Sequence, residues 1–148
     1  MKIAVGSDEP YETDRALVRA LELRGHAVVA FGALSTGAEH PWVAVARETA
    51  SCVPERADEA ILLCWSGTGV TMAANKLPGI RAALCSDAQT ATAARVWNHA
   101  NVLCLAHRTL SADVLNEILD AWFAPYDPAI GSAGVSRLDA LDRDTRTC

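Results

Sequence analysis

Positive charge is scarce in this sequence. Thirteen Lys and Arg face eighteen Asp and Glu over 148 residues, for a formal charge of −5, and no basic cluster offers a phosphate track. That weighs against nucleic acid as a partner. Long apolar runs are missing too. None reaches the roughly 18 residues of a membrane span, and MKIAVGSDEP turns polar too early for a secretory signal. The expectation is a cytoplasmic protein with no membrane partner.

Cysteine is present but unpatterned. Cys52, Cys64, Cys85, Cys104 and Cys148 are odd in number with no C-x-x-C spacing, which argues against a disulfide framework and a zinc knuckle. Cys85 and Cys104 close the apolar runs IRAALC and NVLC and read as small core residues. Cys148 carries no signal.

What is there is alternation. KIAVG, AVVAFG, EAILLC, GIRAALC and NVLCLA read as five buried strands. Between them lie TDRALVRALELRG, PWVAVARETASCV, VTMAANK and DAQTATAARVWN, and SADVLNEILDAWF follows with Ser111 as N-cap. Strand–helix alternation with 51% hydrophobic residues predicts one α/β domain over residues 1–148. Its parallel sheet should be covered on both faces, with ligands outside the carboxyl ends of the strands. Residues 124–148 are turn-rich and then polar, with one short amphipathic turn. They read as a tail that frays or packs on another subunit.

The run AILLCWSGTGVTMAANK places Cys64 at a strand end before Gly67 and Gly69. No Lys follows Gly69, so the run is no Walker A loop. Met72 stands where a dinucleotide fingerprint needs a small residue. Glycines between a strand and a helix expose N–H groups able to hold an anion or oxyanion. A thiol beside such a cradle suits attack on a carbonyl or removal of a proton next to one. The plain alternative is a core cysteine before a tight turn.

These residues, in order, resemble the ribose-5-phosphate isomerase B and galactose-6-phosphate isomerase family. KIAVGSD resembles its opening strand, HAVVAFG its second, CWSGTGVTMAANKLPGIRAAL its Cys-Gly-Thr-Gly loop through Gly-Ile-Arg-Ala, and NHANVLCLAHR its Asn-Asp-x-Asn-Val-Leu stretch. The resemblance covers residues 1–123. It implies a Rossmann-like three-layer αβα sandwich with a C-terminal helix or arm. It also implies aldose–ketose isomerisation of a sugar phosphate through a cis-enediolate, without cofactor or metal. Cys64 then matches the proton-shuttling base, Gly67, Thr68 and Gly69 the oxyanion cradle, and Ser66 an auxiliary hydroxyl. Asn98 and Asp8 match substrate contacts. Sites in this family form between subunits, so a homodimer or tetramer of dimers is implied.

The departures bear on the substrate. Glu9 replaces a histidine, Trp97 the ring-opening histidine, Trp65 a glycine and Ser66 a threonine. Of an Arg-His pair and a following Arg, only Arg137 remains, with Ala133 and Gly134 in place of the pair. Glu9 adds repulsion of about 1 kcal/mol against a phosphate, and a lost Arg removes a bidentate clamp. The substrate is therefore ribose 5-phosphate or a related sugar, including unphosphorylated or short-chain ones. The rival reading is a non-catalytic sugar-binding or structural subunit. Trp65, Trp97, Glu9 and His40 (the position of a site aromatic) are expected to line the pocket. His99 is a possible substitute imidazole and Arg95 a group reaching a neighbour's ligand. His26 and His107 read as structural, and Trp42 and Trp122 as core or interface.

Overall fold

The structure, a computed structural model, describes residues 1–144. Among them, five parallel strands run in the order β2-β1-β3-β5-β4. They are β1 (Lys2–Ser7), β2 (Ala27–Gly32), β3 (Glu59–Cys64), β4 (Ala82–Leu84) and β5 (Val102–Ala106). The helices are α1 (Glu12–Leu23), α2 (Ala33–Thr36), α3 (Trp42–Ala50), α4 (Thr68–Ala74), α5 (Ala88–Asn98), α6 (Ala112–Trp122) and α7 (Ser132–Asp144). This is the expected three-layer α/β sandwich.

Period-two alternation along central β3 builds a core on each face. Ile61 and Leu63 pack with Leu17, Leu21, Leu115, Ile118 and Trp122 of α1 and α6. Leu62 and Cys64 pack with Val45, Ala46 and Val70 of α3 and α4. Cys85 and Cys104 lie in these cores, and burial pushes each thiol up to about 12, so both act as packing groups. Ser111 caps α6 as its sequence implies, accepting from the Val114 N–H at 3.2 Å.

Two expectations need correction. Not all five strands are buried: β2 exposes Ala27 and Ala30, and β4 is three half-buried residues. These are the sheet's edge strands, each paired on one side only. The tail holds more than one short turn, for α7 spans 13 residues. It is fixed by polar anchors rather than an apolar stripe. Asp139 pairs with Arg81 at 3.3 Å, and the Asp142 carboxylate accepts from the Gly79 N–H at 2.8 Å. Cys148 lies outside the described residues.

Register positions the site. Ser7 is level with Leu63, and Cys64 with Ala106. The segments leaving β1, β3 and β5, which begin Asp8, Trp65 and His107, therefore emerge side by side at the carboxyl edge.

Candidate active site

At that edge a pocket of about 300 Å³ is lined by Asp8, Trp42, Cys64, Trp65, Ser66, Thr68 and Gly69. Cys64 is 6% exposed, and the Gly67 N–H donates to its Sγ at 3.2 Å. Gly67 needs its left-handed φ of 73° to turn the chain there, and a Cβ would strike Leu84 and the Leu105 backbone. The Gly67 carbonyl accepts from Thr71 Oγ1 at 2.7 Å. Thr68 and Gly69 open α4, so their N–H groups have no acceptor within the helix. Ser66 and Thr68 share a hydrogen bond between hydroxyls at 2.7 Å. The arrangement is a sulfur held by one N–H beside further unspent N–H groups, which fits proton transfer next to a polarised carbonyl.

Asp8 sits across this pocket. Burial raises its carboxyl above the ordinary aspartate range, the Tyr11 side chain pulls it back, and the charge of Glu39 raises it further. The Asp8 carbonyl accepts from the His40 N–H at 2.8 Å, which pins the His40 loop to the site. The His40 ring itself is tied to Thr36 Oγ1 at 2.8 Å. Glu9 is exposed and lies outside the pocket wall.

Trp97, Asn98 and Arg137 stand elsewhere. Asn98 lines a separate cavity of about 370 Å³ with Asn75, Arg81, Leu138 and Asp139. Trp97 is 61% exposed, and Arg137 is exposed on α7. Within one chain, no hydrogen bond or ion pair among the described residues joins these three to the Cys64 loop. His99 caps α5 with φ 46°, and its Nε2 meets the Ile130 carbonyl at 2.7 Å, so it holds the tail segment. Arg95 is engaged within its own chain. It pairs with buried Glu59 at 2.6 Å and lies over the Trp122 ring.

Sequence reasoning missed three groups beside the pocket. Trp42 is 42% exposed and forms part of its wall, so it is no core residue. His107 stacks on Tyr11 with ring centroids 4.2 Å apart and lies 5.7 Å from Trp65. Arg108 donates its N–H to the Trp65 carbonyl at 3.1 Å, and its exposed side chain makes no ion pair among the described residues. The signal for the last two was that HR directly follows β5, the strand beside β3.

A model of the Ribose/Galactose Isomerase family matches residues 3–140. The chain belongs to this family. Family relatives agree in sequence and shape. The chain is 32% identical to D-erythrulose-4-phosphate isomerase of Pectobacterium atrosepticum over 90% of its length and 89% of the relative's. It is 33% identical to ribose-5-phosphate isomerase B of Mycobacterium tuberculosis, over 99% and 91%. The solved structure of Clostridium thermocellum ribose-5-phosphate isomerase B superposes with a TM-score of 0.89 at 31% identity, covering 98% of this chain and 99% of that one. For a ribose/galactose isomerase family member the pocket at Cys64 has a natural reading. Among the described residues no cluster of His, Cys, Asp or Glu is arranged to hold a metal ion, and no helix is long and apolar enough to cross a membrane.

Proposed function

We propose that this protein interconverts an aldose phosphate and a ketose phosphate through a cis-enediolate, with Cys64 moving the proton between C1 and C2. The observation that carries this reading is the Gly67 N–H held on Cys64 Sγ at the mouth of the glycine loop. Cys64 takes the proton as thiolate and returns it to the adjacent carbon. The N–H groups of Thr68 and Gly69 hold the enediolate oxygens, with the Ser66 hydroxyl beside them. Asp8 receives a substrate hydroxyl.

The substrate is a short sugar phosphate. Arg108 supplies a cation beside the loop, offsetting part of the charge lost elsewhere, and Trp42 and Trp65 narrow the pocket. A four-carbon sugar phosphate fits this narrowing, and kinship to an erythrulose-phosphate isomerase supports it.

The site is completed across a homodimer. Trp97, Asn98 and Arg137 are exposed and none of them lines the Cys64 pocket of its own chain; they serve the partner's Cys64 pocket. Mixing Cys64→Ala and Asn98→Ala proteins after joint refolding tests this. Half the dimers are then mixed, each with one intact site of two, so activity returns to about a quarter of wild type. Restoration beyond either variant alone supports the shared site. A mixture no better than its parts, with an active wild type, removes the shared site and leaves the chemistry. A wild type inactive on aldose and ketose phosphates of four to six carbons removes the isomerase reading.

A further inference from the structure

Beside the pocket, buried Asp8 Oδ1 and the Tyr11 hydroxyl make no hydrogen bond of full geometry, although the phenol stands close enough to the Asp8 carboxyl to favour its charged form as a weak donor. Buried polar atoms left this way are rare and call for an explanation. The two are neighbours. After burial itself, the charge of Asp8 does most to push the phenol's pKa up, and Cys64 lies within the same electrostatic reach. The phenol therefore stays protonated and acts as a donor, while Asp8 Oδ1 is an acceptor.

Tyr11 is held firmly. Its ring lies on His107 with planes 19° apart, and His107 Nδ1 is fixed by Thr13 Oγ1 at 2.9 Å. Its backbone caps α1, with the N–H donating to the Asp14 carboxylate at 3.2 Å. Asp8 belongs to the Cys64 pocket, whereas Tyr11 lines a larger cavity of about 610 Å³ with Pro10, Asp14, Arg15 and Leu34. The pair thus stands between the reacting centre and room for the rest of a carbon chain.

A neutral phenol beside a carboxylate is complementary to one common group, the aliphatic hydroxyl. It donates a hydrogen bond to the carboxylate and accepts one from the phenol. A carbonyl or phosphate oxygen offers no proton, and the carboxylate repels it. Resting on the isomerase reading above, we propose that Tyr11 is a specificity residue that, with Asp8, reads one hydroxyl of the open-chain sugar at a carbon outside the reacting pair.

Tyr11→Phe removes the hydroxyl and keeps the stack on His107; Tyr11→Leu removes both. Wild type and both variants are compared on the four-carbon aldose 4-phosphate with and without its C3 hydroxyl, and on the five-carbon aldose 5-phosphate with analogues lacking the hydroxyl at C3 or at C4. Each is also titrated calorimetrically with the matching unreactive hydroxamate phosphates. The expected result is a loss of about 10- to 100-fold in kcat/KM for Tyr11→Phe. That loss vanishes for substrates without the recognised hydroxyl, the hydroxamate affinities follow the same pattern, and Tm is unchanged. An equal loss on every analogue, no loss, or a loss in Tyr11→Leu alone overturns the proposal. The binding arm needs no turnover. An inactive wild type showing the Tyr11-dependent pattern overturns the isomerase reading and keeps the hydroxyl site, whereas one that binds no hydroxamate overturns both.

Discussion

Strand β3 carries a carboxylate at one end and a thiol at the other, and the two ends treat polar groups in opposite ways. Glu59 is 6% exposed, and its oxygens are met by Arg95 at 2.6 Å and by the Trp122 indole N–H at 2.6 Å. Burial pushes its carboxyl up, while Arg95 and Trp122 pull it back. Little there is left for a ligand. At the Cys64 end, buried Asp8 Oδ1 and the Tyr11 hydroxyl have only each other, without a hydrogen bond of full geometry, and Trp42 and Trp65 remain exposed. At the amino edge the paired Glu59, Arg95 and Trp122 hold the sheet and α5 in place, with His26 Nδ1 the exception left without a partner. Unsatisfied polarity at the other is the mark of a surface waiting for a substrate.

The contrast can be broken from the site end first. Cys64→Ala should lower isomerisation by roughly 10²- to 10⁴-fold while moving Tm by less than about 3 °C, measured by coupled assay and calorimetry. An equal fall in stability would place Cys64 with the packing cysteines. From the other end, Arg95→Ala strands a buried carboxylate and should cost about 3–5 kcal/mol, a fall in Tm of roughly 10 °C. The folded variant should keep its Cys64 chemistry. A loss of activity without loss of stability would return Arg95 to the site.

Asp8→Asn gives a small effect on stability and the most telling sign. Burial raises the folded-state pKa of Asp8 above its ordinary 3.8. Its contribution to stability is therefore complete below that value and is lost as pH rises through the raised one. At neutral pH the carboxylate costs stability. The Asn variant should gain less than about 1 kcal/mol at pH 7, a few degrees in Tm, and the gain should disappear in acid melts below pH 3.8. Activity should fall at the same time. A variant less stable at pH 7 would mean that Asp8 is structural.

How much of this was legible follows from which contacts are local. EAILLC announced a buried strand because apolar side chains fill both faces, and the turn at Gly67 announced itself by composition. Gly6 to Asp8 and Cys64 were each recognisable as strand ends. Tyr11 beside His107 was not, since 96 positions separate the two numbers and only the parallel register of β1, β3 and β5 brings their ends together. A C-terminal helix or arm followed from the family resemblance, but the full length of α7 did not show in the residues, because Gly134 and a polar composition hide its periodicity and its anchors, Arg81 and Gly79, lie far away in sequence. Trp42 read as core or interface because PWVAVARE has an apolar face. That face is real at Val45 and Ala46, but Trp42 opens the helix and turns to the pocket. Arg95 read as a group reaching a neighbour's ligand because its partner, Glu59, lies on β3, far from it in sequence.

The central claim is that Cys64 moves a proton between adjacent sugar carbons. Its most direct test is NMR in D₂O with wild type and Cys64→Ala on four- to six-carbon aldoses and ketoses, phosphorylated and not, reading deuterium uptake and product in the same spectra. The account predicts ketose formation from a short aldose phosphate, with deuterium at the carbon next to the carbonyl wherever the proton escapes return, and neither signal in Cys64→Ala. Undiminished exchange and product in Cys64→Ala, or neither from wild type across the whole panel, would contradict it.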